Sequence, residues 1–208
     1  MPAGTAERVT LRTADGLVLE AELRTPDAPW AVAVLTHPHP QFGGSMRSIV
    51  TGALFAALPD AGVVALRFNF RGVGTSEGTH DDGRGERDDV VAALDAVHPI
   101  AEGLPLVVAG WSFGADVALA VADQRIDAWV AVAPPLRRDD VVAARDPRRK
   151  TLIVAEHDQF RPPASARDIV AEWINTTMEV VAGADHYFVG RTDRVVELCL
   201  AALRAAQA

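Results

Sequence analysis

The sequence predicts one α/β domain on a doubly wound, mostly parallel sheet, and three observations lead there. Continuous apolar runs recur at 30–38, 63–70, 104–111, 128–134, 151–158 and 178–186. Strands covered on both faces lose the in-and-out alternation and read as unbroken apolar stretches. Helical patterns fall between those runs, at 47–58, 86–98, 113–123, 164–174 and 192–206. Strand and helix alternating with short loops is the signature of parallel crossovers. Finally, the chain has 208 residues, 49% of them apolar and 23% charged, which suits a single buried core. No linker, repeat or low-complexity tract divides it, so one domain over 1–208 is expected.

Taken in order, the first element is an antiparallel hairpin. "RVTLRTADGLVLEAELRTP" alternates apolar and polar residues on both sides of Asp15-Gly16, so one face is exposed. "WAVAVLTHP" then begins the buried strands and opens into the loop "HPHPQFGG". The helix at 47–58 carries Ile49, Val50, Leu54, Phe55 and Leu58 and closes at "PDAG". "VVALRFNF" runs into "RGVGTSEG", a tight loop that Arg71 and Glu77 are expected to brace. The helix at 86–98 starts on acidic residues, which suit a helix N-terminus, and carries Val90, Val91, Leu94 and Val97. After the strand at 128–134 only residues 135–150 are available, too few for a helical lid. Within them the basic cluster "RRK" at 148–150 reads as a solvated loop or helix end.

Composition removes several function classes. The formal net charge is −8, so nothing invites a polyanion and nucleic-acid binding is not expected. A single cysteine, Cys199, cannot form an internal disulfide, and its leucine neighbours mark it as a small buried hydrophobe. "MPAGTAERVT" has no signal-peptide pattern, and no apolar run approaches the ~20 residues that span a bilayer. The expectation is a cytoplasmic protein with no membrane partner, while no motif speaks to oligomeric state.

Ligands of open α/β sheets bind at the carboxyl ends of the strands, so the residues there carry the functional reading. "GWSFG" places Ser112 between a buried strand and a helix, flanked by Gly110 and Gly114. Glycines at those offsets let strand and helix approach closely while the serine hydroxyl is lifted from the sheet. The hydroxyl needs a base, and the base needs an orienting acid. "VAEHDQF" supplies Asp158 past one strand and "VAGADHYF" supplies His186 past the last. Glu156 and Asp185 compete as the acid and His157 as the base. Asp185 adjoins His186 too closely to reach its ring, Glu156 is expected to lie still within the strand, and His157 lacks an acid on an independent loop. For the developing oxyanion, the expected donors are the backbone N–H groups of Phe113 and His39, with Gln41 as the alternative to His39. Gly43 and Gly44 would let that loop pass close to the serine turn.

Loop aromatics at the same end form the expected substrate-binding set, Phe42, Trp111, Phe160 and Tyr187, with Leu136 and Phe188 as further candidates. Core filling beneath the loops is the other reading of these side chains. Arg161 reads either as a contact for a substrate carboxylate or as a solvated loop arginine. Three competing functions use the same residues. "RGVGTSEG" has the spacing G-x-G-x-x-x-G, not the dinucleotide fingerprint G-x-G-x-x-G. His37 and His39 form a His-x-His that could hold zinc with His186 or Asp158 as third ligand, which would leave the glycines around Ser112 unexplained. A non-catalytic binding protein would be marked by a broken set of Ser, Asp and His, and here the set is intact.

"HPHPQFGGSM", "LRFNFRGVGTSEG", "GWSFG", "HDQFRPP" and "GADHYF" together resemble the α/β-hydrolase superfamily, most of all its small, capless bacterial members related to dienelactone hydrolases and serine carboxylesterases. The similarity runs from residue 30 to 190. It implies an α/β-hydrolase fold without a cap domain, a triad of Ser112, Asp158 and His186, and hydrolysis of an ester-like bond; no metal or cofactor is expected. Dienelactone hydrolases proper carry a cysteine nucleophile where this chain has Ser112, so their substrate is not implied. The expected activity is carboxyl-ester cleavage of a small acyl substrate through an acyl-enzyme on Ser112. Thioesterase, lactonase or peptidase action by the same residues is the alternative.

Overall fold

The computed structural model describes residues 4–138 and 140–207. Eight strands form one sheet: β1 (Glu7–Arg12), β2 (Val18–Arg24), β3 (Ala31–Thr36), β4 (Val63–Phe68), β5 (Leu106–Trp111), β6 (Ala128–Val132), β7 (Arg149–Ala155) and β8 (Thr176–Val181). Five α-helices accompany them: α1 (Ile49–Ala57), α2 (Glu86–Ala101), α3 (Phe113–Leu119), α4 (Pro163–Val170) and α5 (Thr192–Ala205). Along the sheet the order is β1-β2-β4-β3-β5-β6-β7-β8. The hairpin pairs antiparallel with itself and with β4, and every later pairing is parallel.

The unbroken apolar runs have the cause expected of them. In β3, Val32 and Val34 join one core layer, with α2, α3 and α4, while Ala31, Ala33 and Leu35 join the other, with α1 and α5. Both faces of the strand are dry, so a polar residue on either would lose its water. The edge strand β8 behaves differently, with Thr176, Met178 and Val181 alone partly or fully covered. Its apolar sequence therefore continues past the last ladder bond into a loop, and residues 182–186 are not strand.

The basic cluster at 148–150 is not a solvated loop. β7 begins at Arg149, and Lys150 is fully buried with its Nζ donating to the Asp146 carbonyl. Burial holds that ammonium below the usual lysine range. Arg148 lies over the Trp129 ring, 4.6 Å from its centroid, and pairs with Asp146 at 2.6 Å. Arginine and lysine stems can be covered when their charged ends find local oxygens. α3 and α4 end earlier than their sequence patterns, at Leu119 and Val170. No helix among the described residues is long and apolar enough to cross a membrane.

β3 lies between β4 and β5, so the crossover through α1 runs one way and that through α2 runs back over β3 to the other side. The sheet thus changes direction at the β3/β5 boundary, and a crevice opens beyond the carboxyl ends there. The loops after β3 and β5 carry the "HPHPQFGG" and "GWSFG" stretches.

Candidate active site

Ser112 joins β5 to α3 with φ 55° and ψ −122°, a conformation that favours glycine and costs on the order of 1–3 kcal/mol for other residues. The surroundings impose it. Ser112 N–H donates to the Val132 carbonyl at 2.8 Å, tying the turn to the end of β6, and the Ser112 carbonyl accepts Ala115 N–H at 2.9 Å. A Cβ at Gly110 would lie 2.5 Å from Thr36 Oγ1, and one at Gly114 would lie 2.5 Å from the His37 carbonyl. Thr36 Oγ1 also donates to the Gly114 carbonyl at 2.9 Å. The two glycines therefore allow α3 to press against the end of β3, which pushes the serine side chain toward the crevice.

His186 and Asp158 meet Ser112 there. His186 Nε2 is 2.9 Å from Ser112 Oγ, and His186 Nδ1 is 2.8 Å from Asp158 Oδ2. The second carboxylate oxygen of Asp158 accepts the N–H groups of Phe160 at 2.8 Å and Arg161 at 3.0 Å. All three side chains are buried. Trp111 Nε1 donates to the His186 carbonyl at 3.1 Å, and the Phe160 ring stands edge-on to the imidazole at 4.6 Å. The competitors are engaged elsewhere. Glu156 accepts Gly183 N–H at 2.7 Å, Asp185 accepts Tyr187 N–H at 3.0 Å, and the His157 side chain is exposed beside Glu156.

The loop after β3 turns through a short 3₁₀ segment, Pro40–Phe42, closed by Gly43 at φ 79°. Gln41 N–H donates to His39 Nδ1 at 3.3 Å, which removes it as a free donor. The backbone N–H groups of His39 and Phe113 have no acceptor among the described residues. The glycine pair acts inside this loop, not against the serine turn. Gly44 N–H donates to the His39 carbonyl at 3.0 Å, and a Cβ on Gly44 would lie 2.2 Å from the Pro38 carbonyl. The close approach to the serine turn is made instead by Gly114.

His37 and His39 do not form a metal pair. His37 is buried with both ring nitrogens engaged, Nε2 accepting Phe70 N–H at 3.0 Å and Nδ1 donating to the Pro38 carbonyl at 2.6 Å. Burial drives its pKa down to about 4. The His39 ring faces elsewhere, against Phe42, His80 and Phe113 at 4.8–4.9 Å. The "RGVGTSEG" loop is braced against α2 and the hairpin: Arg71 pairs with Asp89 at 2.7 Å and Asp15 at 3.0 Å, and Glu77 accepts Val18 N–H at 2.8 Å. A Cβ on Gly74 would collide with the Glu20 and Asn69 side chains. Burial raises the Cys199 thiol to about 12.

A cleft of about 720 Å³ opens over Ser112, and Phe42, Trp111, Phe160 and Tyr187 all line it. Leu136 and Phe188 do not; both are buried in the two core layers. Arg161 is not a free loop arginine: it is half-buried, and its guanidinium donates to the Pro135 carbonyl at 2.7 Å and to Ser165 Oγ at 2.9 Å. Sequence reasoning missed Asp116, Arg137, Arg138, Asp82 and Ile49, which also line the cleft. Asp116 carried a signal, as the one charged residue in the otherwise apolar "FGADVALA". The others look like ordinary loop residues and helix surface.

No family model matches the chain. An uncharacterized protein of Rickettsia prowazekii is 32% identical over 188 residues, covering 83% of this chain and 77% of that protein. Among solved structures, an α/β serine hydrolase homologue from Coxiella burnetii superposes with a TM-score of 0.86 at 30% identity, covering 95% of this chain and 97% of that one. An α/β serine hydrolase without a lid from Xanthomonas campestris gives 0.84 at 28% identity, covering 99% and 94%. Sheet order, serine turn and these likenesses converge, and the chain belongs to the α/β-hydrolase superfamily as a hydrolase built without a lid.

Proposed function

We propose that this hydrolase is a serine carboxylesterase acting on small acyl substrates through an acyl-enzyme on Ser112. The observation that carries the reading is the relay of two contacts, Ser112 Oγ to His186 Nε2 at 2.9 Å and His186 Nδ1 to Asp158 Oδ2 at 2.8 Å. Asp158 keeps the proton on Nδ1, so Nε2 is free to take the serine proton as Oγ attacks the ester carbonyl. The negative charge that forms on the carbonyl oxygen is held by the N–H groups of His39 and Phe113, the latter at the start of α3 where the helix dipole also favours an anion. His186 then protonates the leaving alkoxide. Water, deprotonated by the same imidazole, attacks the acyl-enzyme and frees Ser112. Phe42, Trp111, Phe160 and Tyr187 form the walls that receive the apolar parts of the substrate. No metal or cofactor enters these steps, the location is the cytoplasm, and the partner is a small molecule, not nucleic acid or membrane.

A fluorophosphonate probe labels the protein at Ser112, and Ser112→Ala removes the label. Folded protein that resists the probe would overturn the mechanism. A screen of p-nitrophenyl esters by acyl length, beside thioesters, lactones and amides, then tests the bond type, and faster cleavage of any other class displaces carboxylesterase.

A further inference from the structure

One wall of the cleft is the segment after β6, residues 134–138, and it is held in an unusual way. Leu136 is buried with φ 52°, which a branched side chain rarely adopts. Its N–H donates to Asp116 Oδ1 at 2.9 Å, and the next N–H, of Arg137, donates to Asp116 Oδ2 at 3.2 Å. From the other side Arg161 donates to the Pro135 carbonyl at 2.7 Å. The kink at Leu136 is thus clamped between two side chains and turns Arg137 outward to line the cleft.

Asp116 is the costly part of this clamp. It stands four residues after Ser112 on α3, and burial pushes its carboxyl up to about 6 despite the two N–H groups it accepts. A carboxyl group in that position links residues 136 and 137 to the helix that begins at the nucleophile.

The two adjacent arginines then differ. Arg138 forks onto Asp140 at 2.8 Å and donates to the Asp82 carbonyl at 2.7 Å. The Arg137 guanidinium has no hydrogen bond or ion pair among the described residues. Its charge acts across the cleft. His39 is held below the usual histidine range by burial first, then by His80 and also by Arg137, with Asp82 and Glu86 opposing. A guanidinium carries a fork of donors that matches a carboxylate.

We propose that Arg137 is a specificity-determining residue and that the preferred substrates are esters bearing a carboxylate, bound by its guanidinium while the ester carbonyl meets Ser112. This rests on the serine-hydrolase reading of the same cleft.

The test is hydrolysis of two matched pairs by the intact protein: para-acetoxybenzoate against para-acetoxybenzamide, and the monomethyl ester of adipic acid against the methyl ester of its half-amide. The first pair carries the charge on the leaving group and the second on the acyl group. The expected result is a preference for the carboxylate of about tenfold in kcat/KM in at least one pair, expressed in KM and weakening with salt. Arg137→Gln brings that ratio close to one, and Arg137→Lys keeps part of it. Fluorophosphonate labelling of Ser112 without a preference in either pair overturns the inference alone, as does a preference that Arg137→Gln leaves intact. No labelling and no cleavage of any member overturns the serine-hydrolase reading, and this inference with it.

Discussion

The floor and the rim of the cleft are built by different means. On the floor, Ser112, Asp158, His186 and Trp111 are all buried, and each is fixed by hydrogen bonds, to one another, to the end of β6 or to the loop after β7. At the rim, Phe42 is 86% exposed and Tyr187 47%, and their side chains make ring contacts but no hydrogen bond among the described residues. Floor residues have one available position, because burial without those partners would leave polar groups unsatisfied. Rim residues can change rotamer or identity at little cost to the fold. The proposed function accordingly assigns the chemistry to the floor and the range of substrates to the rim.

The sharpest way to break this contrast is at Ser112. Ser112→Ala should lower kcat on the order of a million-fold while the fold survives, as steady-state rates and circular dichroism will show. Ser112→Gly should be equally inactive yet raise Tm, because it relieves the strain at φ 55°. A fall in Tm would mean that the surroundings do not impose the conformation. Asp158→Asn keeps the shape but stabilises the wrong imidazole tautomer, and should cost about 10⁴-fold in kcat.

Acid titration probes the layer just beneath the floor. His37 is neutral and buried in the folded state with a pKa near 4, against 6.5 when unfolded. The unfolded chain binds its proton first as pH falls, so His37 contributes full stability above about 6.5 and loses it progressively down to about 4. The total is about 3 kcal/mol, read as a falling denaturant midpoint. His37→Gln should flatten that window; an unchanged slope would assign the loss to other groups. Gly114→Ala forces a methyl against the His37 carbonyl and should cost roughly 1–3 kcal/mol by thermal melting. The smallest effect belongs to the rim: Phe42→Ala should change kcat/KM by less than about tenfold, through KM, with Tm unmoved. A large fall in kcat would place Phe42 with the floor.

Most of the floor was legible in the sequence for a physical reason. A hydroxyl lifted from a strand end requires glycines at fixed offsets, and Ser112 and Asp158 each follow a buried strand whose apolar run marks it plainly, while His186 follows the edge strand β8, whose apolar sequence runs on into the loop. The same runs predicted the parallel sheet, because a strand with two dry faces has no room for polar residues. What stayed hidden depends on neighbours distant in sequence. Arg161 reads as a loop residue until the Pro135 carbonyl, 26 positions away, is seen to hold it. Lys150 reads as solvated until Asp146 and the core around β7 cover it.

Asp116 and Arg137 show the division most clearly. By itself the sequence determined the sheet, the serine turn and the order in which Ser112, Asp158 and His186 follow their strands, since each leaves a local pattern of spacing or hydrophobicity. Only the tertiary structure decided that Asp116 clamps the 136–137 backbone, that Arg138 is neutralised and that Arg137 beside it is not. Whether a charge is engaged depends on what packs around it in three dimensions, and no local pattern in the chain records that.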